Sequence, residues 1–246
     1  MLSSNDIKYI RSLQQKKNRE EEKKFICEGE KMISELFRSG WKIELICATE
    51  EWLEENEVPG KIHVEDINEG VLGRISGLSS PNKVLAIVHQ PKLIFSPESE
   101  NKFLILDNIN DPGNLGSIIR TADWFGIKTI LCSEETVELF NPKVVQSTMG
   151  SLFRVKCIYG DLKDGISELK KNGVTIYGAC MEGKNIFENK FSEKSAVVLG
   201  SEAHGISNKV LRLLDDKITI PKSGEAESLN VSVAAGIFCG EMMKYV

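Results

Sequence analysis

The chain is poor in the features that announce a metal centre, a disulfide scaffold or a membrane protein. Its six cysteines (Cys27, Cys47, Cys132, Cys157, Cys180 and Cys239) stand singly, and its three histidines (His63, His89 and His204) form no cluster. Neither set has metal-ligand spacing, which points to reduced, buried thiols and no metal. No apolar run is long enough for a bilayer span, and no membrane association is expected. Met1-Leu2-Ser3-Ser4-Asn5-Asp6 lacks a basic start followed by a hydrophobic segment, so a cytoplasmic protein is expected. Excess positive charge is missing as well. A net charge of -5 argues against a protein that coats nucleic acid nonspecifically, while leaving room for a local basic face. Neither G-x-G-x-x-G after a strand nor G-x-x-x-x-G-K-[ST] occurs, so the usual cradles for dinucleotides and nucleoside triphosphates are absent. Gly200-Ser201-Glu202 is not a nucleophile elbow, and His204 reads as a loop histidine rather than a catalytic one.

What is present is a core. The 246 residues, 41% hydrophobic and 27% charged, suit one large globular domain or two modest ones. The first part alternates: a helix over about 5–17, a strand at Phe25-Ile26-Cys27, a helix over 30–38, strands at 44–47 and 61–64, a short helix at 67–72, and a strand at 84–88. This predicts a small α/β domain over 1–90, followed by a linker over 91–101 that holds Pro91 and Pro97. From Lys102 onward the strands at 103–106, 129–131, 174–177, 196–199 and 218–220 are continuously apolar, as strands buried on both faces are. Helical patterns at 115–125, 162–171, 208–214 and 229–243 separate them, which predicts a parallel α/β sheet domain over 102–246.

Ligands of open parallel sheets bind beyond the carboxyl ends of the strands. Polar and small residues cluster at those ends: Asn108 to Gly116, Gly178 to Gly183, Gly200 to Gly205, and Pro221 to Asn230. Several such loops at one sheet edge indicate a site. In the helix after Asn114, Leu115, Ile118, Ile119 and Ala122 share one stripe, which leaves Arg120 and Trp124 on the outward side as a contact surface for a second subunit or RNA. In the last helix Ser232, Gly236 and Gly240 form a strip of small residues that suits either packing on its own sheet or pairing across a dimer. Seven basic residues between Lys8 and Lys24 face three acids, either as a solvated helix or as phosphate contacts.

Three of these stretches together resemble the motifs of the SpoU (TrmH-type) RNA 2'-O-ribose methyltransferases of the SPOUT class. They are N-I-N-D-P-G-N-L-G-S-I-I-R-T-A-D-W-F-G (108–126), V-L-G-S-E-A-H-G-I-S (198–207) and I-P-K-S-G-E-A-E-S-L-N-V-S-V-A-A (220–235). The stretch Phe25-Ile26-Cys27-Glu28-Gly29 is similar to the F-x-x-E-G pattern of a ribosomal-protein-like substrate-binding domain found in many members. The resemblance implies a C-terminal SPOUT domain with a deep trefoil knot, S-adenosylmethionine as methyl donor, a homodimer, and an RNA substrate, ribosomal rather than transfer RNA. It carries over Ala179, Gly200, Ile220 and Leu229 to the donor, and Asn114, Arg120, Glu202, Ser228 and Asn230 to substrate and catalysis. Lys8, Arg11, Lys16 and Arg19 then become candidate phosphate contacts. For Ser228 and Asn230 the alternative role is helix capping. Two rivals stand beside this reading: an RNA-binding protein of the same fold without catalysis, and a small-molecule methyltransferase of Rossmann type, whose glycine-rich first loop is not seen.

Overall fold

A computed structural model describes residues 2–244, which divide into two compact units. The first contains residues 2–92 and, from later in the chain, 138–153; the second contains 93–137 and 154–244. The elements of the first unit begin with α1 (Ser4–Ser12), α2 (Lys16–Glu22), β1 (Lys24–Glu28), α3 (Glu30–Ser39) and β2 (Ile43–Ala48). They continue with α4 (Glu50–Glu55), β3 (His63–Asp66), α5 (Glu69–Ile75) and β4 (Val84–His89). In the second unit β5 (Lys102–Asp107), α6 (Pro112–Trp124) and β6 (Thr129–Cys132) come first. The chain then passes through α7 (Pro142–Ser147) in the first unit and returns for β7 (Lys156–Tyr159), α8 (Leu162–Lys171) and β8 (Thr175–Asn185). It closes with β9 (Ser195–Gly200), α9 (Asn208–Leu211), β10 (Asp216–Thr219) and α10 (Val231–Met242).

The sheet of the first unit has the order β1-β4-β2-β3, antiparallel except between β2 and β3. Ile7, Ile10 and Leu13 pack with Ile26, Leu72, Ile75, Leu85 and Ile87 in one core cluster. A second group of side chains holds segment 138–153 in place: the rings of Phe25, Trp41, Phe140 and Phe153 meet with centroids 4.7–6.3 Å apart. That segment, α4 and β7 are not anticipated by the sequence reading. The expected single helix over 5–17 is two helices. α1 ends at Ser12 with the buried Leu13 as its C-cap, and side chains take up the carbonyls freed by the break. Asn18 Nδ2 donates to Ser12 O at 2.8 Å and Arg19 Nη1 to Leu13 O at 2.9 Å.

The six strands of the second unit are all parallel, in the order β10-β8-β9-β5-β6-β7. Continuous burial of β5, β6 and β9 explains why their sequences do not alternate. Phe103, Ile105, Leu131, Ala196 and Val198 pack against Leu162, Ile166 and Leu169 of α8. The segment expected as a linker contributes to this core, since Phe95 packs edge-on against Phe103 and Pro97 is buried. The chain leaves β5 towards β6 but leaves β9 towards β10, on the opposite side. The order of connection thus reverses between these two neighbours, and in open parallel sheets the ligand crevice lies at such a point, here beyond Asp107 and Gly200, paired in register.

Candidate active site

The crevice is built from three loops. After β9 the chain turns back on itself: Ser201 and Gly205 exchange two main-chain hydrogen bonds, and His204 N donates to Ser201 Oγ at 3.2 Å. Gly200 is required there, because a Cβ would collide with the backbone of Gly205 and Ile206. The buried carboxylate of Asp107, at the end of β5, accepts from Ser207 N at 2.7 Å and anchors the far side of the turn. This anchor is missing from the sequence reading; an acidic residue ending a buried apolar strand was its only signal.

The second loop is a bulge inside β8. Lys217 of β10 pairs with Gly178, but the next residue, Ile218, pairs with Lys184, so residues 179–183 stand out of the ladder. Gly183 carries no side chain because the backbone of Lys217 and Ile218 occupies that position. Thr219 Oγ1 donates to Met181 O at 3.0 Å and holds the bulge against β10. Gly178 pairs with both Val198 and Lys217, which sets Ala179, Gly200 and Ile220 at the same end of three adjacent strands. Leu229 lies in the third loop, where residues 221–230 are all exposed. Cys180, in the bulge, is partly buried, and burial raises its pKa above the ordinary thiol value. All six thiols are free.

One hydrogen-bonded chain links the first and third of these loops to the start of α6. Asn114, in the first turn of α6, donates its side-chain amide to Glu202 Oε1 and accepts from Asn230 Nδ2 at 2.9 Å. Asn230 Oδ1 in turn accepts from Ser232 N at 2.9 Å and Ser232 Oγ at 2.6 Å, so it also caps α10. Capping and site membership are thus compatible: Oδ1 serves the helix and Nδ2 serves the neighbour. Asp111 Oδ1 caps α6 through Asn114 N at 2.8 Å. The first turns of α6 and α10 meet at this chain, and their positive dipole ends favour an anion beside it. The surroundings of Glu202 and Asn230 are open to solvent.

Two of the expected residues are not brought to this cluster. Arg120 lies six residues beyond Asn114 on α6, about 9 Å further along and about 120° around the axis. It is exposed and has no side-chain partner among the described residues, and neighbouring Trp124 is 85% exposed. Ser228 is exposed and makes no side-chain hydrogen bond among the described residues. Lys8 and Arg11 are exposed on α1, and Lys16 is exposed with Glu20 3.6 Å away. Arg19 requires a correction. It is 2% exposed, and its Nε and Nη2 donate to the Glu138 carboxylate at 3.0 and 2.7 Å. A guanidinium enclosed in this way holds the fold together and does not face a phosphate.

The F-x-x-E-G stretch is structural too. Glu28 is buried and accepts from Ser76 Oγ and, at 2.9 Å, from Gly77 N, tying the exposed loop after α5 to the end of β1. Gly29 has φ +98°, and the Asn82 side chain packs 3.3 Å from where its Cβ would stand. In α10 a Cβ on Gly236 would meet nothing within 4 Å, and one on Gly240 would make ordinary contact with Phe125 Cζ at 3.8 Å, so neither glycine is required by packing among the described residues.

Comparison with known proteins gives concordant matches. The family model for the SpoU rRNA Methylase family matches residues 101–240, and that for the MRM3-like substrate binding domain matches residues 4–86. The chain is 31% identical over 232 residues to the 23S rRNA (guanosine(2553)-2'-O)-methyltransferase RlmP of Bacillus subtilis, covering 94% of this chain and 93% of that protein. A crystal structure of AdoMet-bound rRNA methyltransferase from Sinorhizobium meliloti superposes with a TM-score of 0.89 at 29% identity, over 100% of this chain and 97% of the other.

Proposed function

Since the chain belongs to the SpoU rRNA Methylase family, we propose that it transfers a methyl group from S-adenosylmethionine to a ribose 2'-hydroxyl of ribosomal RNA. The observation that carries this reading is the Asn114–Glu202–Asn230 chain, which joins two of the loops to the start of α6 beside Gly200 and Ile220. The relatives, one named as a 23S rRNA 2'-O-methyltransferase and one solved with AdoMet bound, favour this reading over an RNA-binding protein without catalysis. The residues around the crevice suit the donor: apolar Ile220 and Leu229 stand at the same sheet edge as the main-chain groups of Ala179 and Gly200. When bound, S-adenosylmethionine supplies an electrophilic methyl carbon.

The remaining work falls to the chain's own residues. A 2'-hydroxyl is a weak nucleophile, so holding it in line with the methyl carbon removes several kcal/mol of barrier, up to about 7–11 in favourable cases. Asn114 fixes the orientation of the Glu202 carboxylate, which receives the hydroxyl proton directly or through the adjacent RNA phosphate. The Arg120 side chain offers a planar fork of N–H donors and no acceptor. It therefore orients that phosphate and stabilises the developing alkoxide, and does not act as a base. Its place on the outward face of α6 supports action across a homodimer, with Trp124, Val233 and the open strip at Gly236 in the shared surface. Ser228 lies in the exposed segment that contacts the ribose once substrate is bound.

Residues 2–92 would serve as the substrate-binding domain, with Lys8, Arg11 and Lys16 on RNA phosphates, and the C-terminal unit would carry the trefoil knot. No helix among the described residues is long and apolar enough to cross a membrane; a cytoplasmic enzyme meeting ribosomal RNA accords with the substrate. The test is transfer of radiolabelled methyl from S-adenosylmethionine to ribosomal RNA taken from cells lacking the gene, with nuclease mapping of the product. Label confined to a 2'-O-methyl nucleotide is the expected result. Calorimetry showing no binding of S-adenosylmethionine would refute the reading.

A further inference from the structure

We propose that Phe187 and Met181 form a stacking platform for an RNA base next to the methylated ribose, which makes them substrate-positioning residues. The proposal rests on the donor site described above and adds the surface by which the nucleotide is received. Thr219 anchors both segments: its carbonyl accepts from Ile186 N at 2.9 Å, and its hydroxyl donates to Met181 O at 3.0 Å. Residues 181 and 186–187 are thus fixed one position before Ile220, at the rim of the crevice. The two side chains are nevertheless 67% and 54% exposed.

The local backbone around Phe187 is ordered by its neighbours. Ile186 is fully buried, Phe187 N donates to Asn185 Oδ1 at 3.1 Å, and Asn185 Nδ2 donates to Glu188 Oε1 at 3.1 Å. The other rings of this region, Tyr177, Phe191 and Phe238, are buried against one another with centroids 4.9–6.4 Å apart, and Phe187 is not among them. Folding therefore uses three rings and leaves the fourth on a fixed backbone in water. Such a ring meets a partner with its backbone already ordered, so that only its side-chain torsions remain to be fixed. Bases splayed out of single-stranded RNA stack on side chains of this kind, and a thioether adds a soft contact to a π face. Lys184, the nearby cation on β8, is held by Asp216 Oδ1 at 2.7 Å. Lys217 of β10, beside Gly178, is exposed near the bulge; what the two apolar side chains themselves add is stacking, a contact insensitive to salt.

The experiment uses the full chain with radiolabelled S-adenosylmethionine and ribosomal RNA from cells lacking the gene. Phe187→Ala should raise KM for RNA about tenfold, a factor worth ~1.4 kcal/mol, and Met181→Ala should raise it less. Phe187→Trp should return KM to within about twofold of the unaltered protein, since any aromatic face stacks. Affinity for S-adenosylmethionine, mass by light scattering and the slope of RNA affinity against salt should stay unchanged. An unaltered KM in Phe187→Ala overturns the platform. A loss of donor affinity or of dimer mass overturns it as well, by assigning the ring to the donor pocket or to a subunit contact. Failure of the unaltered protein to bind S-adenosylmethionine removes the donor-site reading and the platform together, and is distinguished by needing no variant.

Discussion

Glu28 of the N-terminal unit and Glu202 of the C-terminal unit each lie where a strand ends, beside or near a glycine. Glu28 is buried, holds Ser76 and Gly77, and so closes the loop after α5 onto β1. Glu202 is exposed two residues beyond Gly200, and among the described residues its side chain is hydrogen-bonded by Asn114, a residue that also joins a third loop. The cations divide in the same way, with Arg19 enclosed by Glu138 and Leu13 while Arg120 stands in solvent without a partner among the described residues. Burial with full satisfaction marks a group that maintains structure. Exposure with orientation fixed by neighbours marks a group kept for a ligand.

This contrast predicts opposite effects of substitution in the two units. Arg19→Ala should lower stability by about 3–5 kcal/mol in urea denaturation by leaving Glu138 uncompensated, and Arg19→Met with Glu138→Leu should recover most of it. Asn230→Ser keeps an oxygen to cap α10 but loses the amide that reaches Asn114. Methyl transfer should fall about 100-fold or more, while stability changes by less than ~0.5 kcal/mol. Glu28→Ala should cost about 2 kcal/mol through two unsatisfied donors and leave affinity for S-adenosylmethionine intact; an equal loss of stability from Glu202→Ala would erase the distinction.

Smaller effects separate the two surfaces. Alanine at both Lys8 and Arg11 should reduce the slope of RNA affinity against salt by about 1–2 and leave unfolding unchanged; an unchanged slope returns α1 to a plain solvated face. Cys180 should be the thiol that reacts first with iodoacetamide, since the other five are buried. Because burial raises its pKa, its thiolate is scarcer at neutral pH than that of free cysteine. Labelling should therefore accelerate as pH rises through the ordinary thiol range and beyond, and S-adenosylmethionine should slow it.

Much of the second unit was legible in its residues. Uninterrupted apolar runs have one stable use in a chain of this composition, a strand covered on both faces, and the stripe Leu115, Ile118, Ile119 and Ala122 is fully buried as its period requires. The motif loops were legible as well, because glycine at 200 and asparagine at helix starts answer to local geometry. The break after Ser12 was not, since the side chains that satisfy it, Asn18 and Arg19, act through folding back and leave no periodic mark. Nor was the role of Arg19, whose carboxylate partner lies 119 residues away.

Periodicity, turn chemistry and motif spacing are properties of neighbours along the chain, and they were enough to set the α/β class and the strands other than β7, while the motif loops carried the resemblance to the family. Which polar groups are buried depends on residues distant in sequence that meet only when the sheet forms. Three-dimensional packing therefore placed 138–153 in the first unit, enclosed Arg19, and linked Asn114, Glu202 and Asn230, because desolvation and hydrogen-bond geometry act on distances in space.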